Sequence, residues 1–155
     1  MSRSRLPATD ARQAPENLAI LLREPFRAMN EELIGRLADG GHPQVRYVHG
    51  NVFQFLDDAG TRVSVLAERA QISKQAMAQL VAHLEQHGYV ERVPDPSDRR
   101  AKLVQTTVRG RAVFAVVRDF VAEVDARLAD SLGEAKVRHL RELLQELNDA
   151  LLPRA

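Results

Sequence analysis

The sequence predicts a mainly α protein: a winged helix-turn-helix with a two-stranded β-wing and an all-helical dimerisation region around it. Three observations carry that prediction. Two serine-capped helical segments, Ser64 to Ala70 and Ser73 to about His87, are joined by a turn at Gln71-Ile72. Two β-prone runs follow, Tyr89 to Val93 and Lys102 to Thr106, separated by the turn-forming stretch Pro94-Asp95-Pro96-Ser97-Asp98-Arg99-Arg100. Both ends of the chain carry leucine and valine at helical spacing. With no Trp and 5% aromatics, the core has to be built from Leu, Val and Ala, as in packed helices.

In chain order, residues 1–14 are polar and read as a flexible arm. A first helix is expected from Pro15 to residue 38, with Leu18, Leu22, Phe26, Met29, Leu33 and Leu37 on one face. Pro25 lies inside it and must kink or restart it, because proline lacks an N–H and crowds the preceding turn. Asp39-Gly40-Gly41 ends it. A second helix is expected to start on Pro43, with Val48, Val52, Phe55 and Leu56 buried, and Asp57 to Gly60 closing it. Arg62-Val63 reads as a very short strand. Ser64 and Ser73 are expected N-caps, and Gly88 a helix terminator. Beyond Thr107, Val113, Val117, Phe120, Val124 and Leu128 mark a long helix that Gly133 breaks. Val137, Leu140, Leu144, Leu147 and Leu151 mark the last, close to a heptad seam.

Composition excludes several function classes. There is no cysteine, which removes disulfides, thiolate metal sites and thiol-based redox sensing together. The apolar runs are too short to cross a bilayer, and no apolar segment follows Arg3 and Arg5 to make a secretory signal, so a cytoplasmic location is expected. No Ser/His/Asp set, paired carboxylate site, phosphate loop or HExxH motif marks an enzyme, and no cofactor is implied. His83 and His87 lie four apart on one helix but lack the accompanying ligands of a metal site. They read as surface or phosphate-contacting histidines.

The net charge of +1 is unevenly spread. Residues 62–111 hold 9 Lys/Arg against 5 Asp/Glu, while the segments before and after are slightly acidic. A local basic excess suits a polyanion, or is merely a solvated face. Spacing decides for the polyanion. Met77, Leu80, Val81 and Leu84 share one face of the second capped helix, so Lys74, Gln75, Ala78, Gln79 and Ala82 lie on the other. That face has no acid; its alanines admit groove walls, and glutamines suit adenine edges. Ser73, Lys74, Gln75 and Gln79 are therefore expected DNA contacts, with Arg99, Arg100 and Lys102 on the wing. Asp98 would be repelled by phosphate, which implies a structural use in the wing, holding an arginine or capping the turn.

The stretch LAERAQISKQAMAQLVAHLEQHGYVERVPDPSDRRAKLVQTTVRG, Leu66 to Gly110, resembles the winged-helix core of the multiple-antibiotic-resistance-regulator (MarR) family. DPSDRRAK, Asp95 to Lys102, is its most specific part, with Asp98 and Arg100 as the D-x-R element; LExxGYVER, Leu84 to Arg92, supports it. The resemblance implies a homodimeric transcription regulator, with Arg100 at the minor groove and the helix from Ser73 in the major groove. It also implies a small aromatic or phenolic effector between the first, second and fifth helices, which makes Arg46, His49 and Phe53 candidate pocket residues, unless they form an ordinary half-exposed face. The chain departs from the family at the interhelical turn, where Gln71 replaces the usual Gly. Such a residue must take an unfavourable backbone angle or use a different turn. Ala78-Gln79 stands where Thr-Arg is frequent, and Thr106-Thr107 replaces the terminal Leu-Thr, so no operator sequence carries over.

The expectation is a winged helix over residues 43–107 and a dimerisation region from 15–38 and 108–152. Its partners would be a palindromic double-stranded DNA operator, a second copy of the chain and a small effector, with no membrane and repression as output. The rival is a protein-interaction adaptor on the same fold that binds no DNA.

Overall fold

The computed structural model describes residues 17–152. The arm expected over residues 1–14 lies outside them. Helix α1 spans Leu18–Asp39, and Asn17 Oδ1 caps it by accepting from the Ile20 N–H at 3.0 Å. It runs through Pro25 without restarting. The carbonyl that Pro25 deprives of a donor lies on the exposed first half of the helix, open to water. Only the far end of the predicted apolar stripe enters the core: Leu37 is buried and Leu33 half-buried, while Leu18, Leu22, Phe26 and Met29 stay exposed.

No helix starts at Pro43. Burial of His42 and Val45 draws the chain inward, and Pro43 and Gln44 form a turn that the Val45 N–H closes onto the His42 carbonyl at 3.1 Å. A short 3-10 turn, Tyr47–His49, then leads into α2, Gly50–Phe53. The inward residues are Val45, His49, Val52 and Phe53; Val48, expected inside, is exposed. Nor is there a strand at Arg62-Val63. Thr61 alone bridges Val104 through two 2.9 Å backbone hydrogen bonds. That bridge holds the chain extended to Arg62, so α3 (Val63–Arg69) starts one residue before Ser64, which is exposed in the first turn and caps nothing.

Helix α4, Lys74–Gln86, follows the sequence closely. Ser73 Oγ accepts from the Ala76 N–H at 3.1 Å. Gly88 ends the helix at φ +74°, with the Tyr89 N–H returning to the Leu84 carbonyl at 2.9 Å. Met77, Val81 and Leu84 are fully buried with Leu66, Val52, Tyr89, Val90 and Val104, the core of the lobe. Between α3 and α4, Gln71 sits at φ +53°, the one non-glycine residue with positive φ among the described residues. Left-handed backbone costs an L-residue about 1–2 kcal/mol, against roughly 0.5–1 kcal/mol for the extra unfolded-state freedom of glycine. Gln71→Gly is therefore expected to raise the urea midpoint, by up to about 1 kcal/mol of stability; an unchanged or lower midpoint contradicts this.

Strands β1 (Val90–Asp95) and β2 (Asp98–Thr106) form one antiparallel hairpin with Val90 opposite Thr106 and Pro94 opposite Lys102. The expected long tip is a two-residue turn at Pro96-Ser97, because β1 extends to Asp95. Between Pro94 and Asp95 the register slips, and Arg99, Arg100 and Ala101 have no β1 residue opposite them. From the hairpin the chain enters α5, Val108–Leu132, capped by Thr107, and then α6, Glu134–Leu151, which pairs with α5 through Arg141 and Asp125 at 2.6 Å. Arg127–Glu32 at 2.8 Å and Arg36–Glu123 fasten α5 to α1. No helix among the described residues is long and apolar enough to cross a membrane.

Candidate nucleic-acid interface

Two elements meet on one side of the lobe. The first is the outward face of α4. Ser73, Lys74, Gln75, Gln79 and Ala82 are exposed there and Ala78 is half-buried. Because Met77, Val81 and Leu84 turn to the core, helical geometry leaves these residues together on the opposite face. The carboxylate of α4, Glu85, stands near its C-terminal end and pairs with Arg92. The N-terminal two turns of the outward face are therefore free of acid.

The wing is held by a clip that local sequence reasoning missed. Asp95, 5% exposed, receives the Arg62 guanidinium on Oδ2, from Nε at 2.7 Å and with Nη2 at 2.6 Å. Its Oδ1 accepts from the Ser97 N–H at 2.8 Å and the Ser97 hydroxyl at 2.6 Å. Those Ser97 hydrogen bonds first, and Arg62 after them, hold the Asp95 carboxyl down to about 2. The clip thus persists from neutral pH into the acid range, and loosens only as pH falls through the carboxylate range. Arg62 lies 33 residues away and belongs to the segment that starts α3, so the wing is tied to the helix-turn-helix at its tip as well as its base. Asp-Pro-Ser was the one local sign of an Asx turn.

Asp98 sits where the hairpin returns. Its Oδ1 accepts from the Arg100 N–H at 3.0 Å, and its Oδ2 lies 3.6 Å from Arg62 Nη2. Both acids at the wing tip thus face Arg62. Arg99, Arg100 and Lys102 are exposed, and their side chains have no acidic partner among the described residues.

The residues expected to line a pocket do not converge. His49 is buried and stacks on His83 of α4, ring centroids 4.6 Å apart, because its Nδ1 accepts from the Arg46 N–H at 2.9 Å and turns the ring inward. Arg46 itself is exposed. Phe53 alone reaches a cleft of about 470 Å³ that it shares with Leu56, Asp58, Thr106, Arg111 and Phe114, packing edge-on to Phe114 at 5.4 Å. His83 and His87 lie inside a packed contact, and among the described residues no group of three or more His, Asp or Glu side chains is placed to hold a metal ion.

The sequence profile of the MarR family matches residues 45–101, from the segment before α2 to the wing. Over those residues the winged helix is similar to the MarR-family domain. The chain is 32% identical over 88 residues to the transcriptional activatory protein BadR of Rhodopseudomonas palustris, covering 57% of this chain and 49% of BadR. The chain thus spans about half the length of that relative. It is 27% identical over 94 residues to the transcriptional regulator HosA of Escherichia coli, covering 61% of this chain and 70% of HosA. These relatives are regulators of transcription rather than enzymes. Among solved structures, a transcriptional regulator from Thermotoga maritima superposes with a TM-score of 0.58 at 26% identity, covering 86% of this chain and 92% of that one. MepR of S. aureus, solved in complex with DNA, superposes with a TM-score of 0.71, covering 88% and 100%; at 17% identity this establishes a shared fold.

Proposed function

We propose that the chain is a sequence-specific DNA-binding transcriptional regulator that grips an inverted repeat as a homodimer. The observation that carries this reading is the outward face of α4, acid-free over its first two turns, beside a wing whose tip arginines, Arg99 and Arg100, have no acidic partner among the described residues. An adaptor that binds only protein has no use for that pairing. Ser73, Lys74, Gln75 and Gln79 would enter the major groove, with Arg99, Arg100 and Lys102 tracking the adjacent backbone or minor groove. Ser73 Oγ accepts within its own helix yet keeps its hydroxyl proton for a phosphate.

The flanking helices support the dimer. Leu18, Leu21, Leu22, Phe26 and Met29 of α1 and Leu140, Leu143, Leu144 and Leu151 of α6 are all exposed, more apolar surface than a lone protomer keeps open to water. Residues 15–38 and 108–152 of two copies would cover these faces and place two lobes about one helical turn of DNA apart, ~34 Å. Such a dimer lying across a cytoplasmic promoter excludes polymerase, hence repression. BadR is named an activatory protein, and a promoter fusion in cells with and without the gene decides the sign. The Phe53–Phe114 cleft, with Arg111 at its edge, would take a small aromatic or phenolic effector that favours one spacing of the lobes over another.

Selection from random duplexes at moderate salt tests the reading. An enriched palindrome is required, and an adaptor yields none. Asp98→Ala is expected to weaken binding about tenfold, from roughly 0.5–1 kcal/mol lost at each of two wings with the Arg100 turn bond, although the change removes negative charge. Fluorescence anisotropy on the selected duplex reads this, and tighter binding would count against a structural Asp98.

A further inference from the structure

Four of the five histidines gather where the 42–49 segment meets α4. His49 stacks on His83 at 4.6 Å and 15°, and His83 lies against His87 at 4.5 Å. His42 is buried against Tyr89 at 5.6 Å. The hydrogen bonds fix which nitrogens carry protons, because a carbonyl only accepts and a backbone N–H only donates. His83 Nε2–H donates to the Gln44 carbonyl at 3.0 Å, and His87 Nδ1–H donates to the His83 carbonyl at 2.8 Å. His49 Nδ1 accepts from the Arg46 N–H at 2.9 Å and must be bare. The hydrogen bond that holds His49 to Arg46 thus requires the neutral ring.

We propose that His49, His83 and His87, backed by His42, form a proton-operated latch between the 42–49 segment and α4, released by acid so that DNA affinity falls. The inference rests on the reading of α4 as the groove-contacting helix. A proton on His49 Nδ1 sets donor against donor at Arg46 and places charge beside two further imidazoles. The groups facing the latch offer no compensation. From its own segment comes Arg46, from α4 His83 and His87, and from α5 Arg109, whose guanidinium lies over Tyr89 and beside His42. Tyr89 contributes a hydroxyl already bonded to Gln44, and no carboxylate among the described residues touches the stack.

The sign follows from proton linkage. Burial first, then His83, Arg46 and His87, lower docked His49 from the usual 6.5 to about 4, and burial followed by Arg109 lowers His42. The docked state binds fewer protons than the released one, so acid favours release. Each pH unit between about 6.5 and about 4 shifts the balance roughly tenfold through His49 alone. Direct electrostatics work the other way, since extra positive charge ordinarily tightens DNA binding as pH falls.

The test compares the full chain with His49→Asn, whose Oδ1 still accepts from the Arg46 N–H and takes no proton. Binding is measured at pH 7.5 and 5.0 at fixed salt, on the duplex selected at pH 7.5. The wild type is expected to bind at least fivefold more weakly at pH 5.0, with His49→Asn changing less than twofold. Amide exchange over residues 45–49, corrected for intrinsic rates, should accelerate in acid in the wild type only. If His49→Asn does not fold, wild-type amide exchange over residues 45–49 at the two pH values decides the latch, and pH-independent exchange overturns it. Wild-type affinity that stays flat or tightens at pH 5.0 overturns the latch. Failure to bind any duplex at either pH overturns the DNA reading instead; exchange over residues 45–49 then decides the latch alone, and pH-independent exchange overturns it.

Discussion

Gly110→Ala is expected to destabilise the protein by about 3 kcal/mol, the upper end for forcing atoms into a packed site. Gly110 is buried in the first turn of α5, where Thr107 ties the helix to the end of α4: its hydroxyl donates to the Gly88 carbonyl at 2.7 Å and accepts from the Gly110 N–H at 3.1 Å. A Cβ on Gly110 would overlap the Tyr89 carbonyl oxygen and stand 2.7 Å from Thr106 Cγ2. Backbone cannot swing aside as a long side chain does, so α5 must lift from the lobe. For a chain of this length the loss corresponds to a melting point lower by roughly 6–12 °C. Gly35→Ala is the control: in α1 an added Cβ meets nothing within 4 Å, so stability should rise by about 0.5–1 kcal/mol. Equal melting points for Gly110→Ala and the wild type would mean that α5 does not sit this close to Tyr89 and Thr106.

What the sequence disclosed was local. Ser73 and Gly88 delimit α4 within themselves, one by an oxygen three residues from the N–H it takes, the other by a backbone angle. Periodicity found α5 and α6 for the same reason, and the outward residues of α4 followed from the apolar ones. The failures lie where distant contacts override local preference. Ser64 is a good cap in isolation, but the Thr61–Val104 bridge fixes where the chain stops being extended. Pro43 suits a helix start, but burial of His42 and Val45 bends the chain first. The three pocket candidates separated because His49 found His83 across 34 positions of sequence. Arg62 was invisible as a wing residue for the same reason: its meaning comes from Asp95, which no local pattern pairs with it. Gln71 is the counter-example, where a single departure from a glycine position foretold the one strained non-glycine backbone angle in the described chain.

That pairing sets the electrostatics of the wing, and with it the effect of Arg100→Ala. Asp95 and Asp98 stand within a few residues of the tip and would neutralise Arg99 and Arg100 if they faced them. Instead both face Arg62, which comes from outside the hairpin, and the tip keeps its positive charge. The Asp98 turn bond then fixes the backbone at Arg100 itself. A guanidinium held this way and left without an acid enters a narrow minor groove at low cost, being less strongly hydrated than an ammonium. Present twice in the proposed dimer, Arg100→Ala should remove about 2–3 kcal/mol, roughly 30- to 150-fold in Kd. It should also lower the slope of log K against log salt by about 2. The two readouts separate causes. A weaker Kd with an unchanged slope means the wing was disordered without leaving phosphate. An unchanged Kd and slope means it never touched the duplex, and α4 then grips DNA alone.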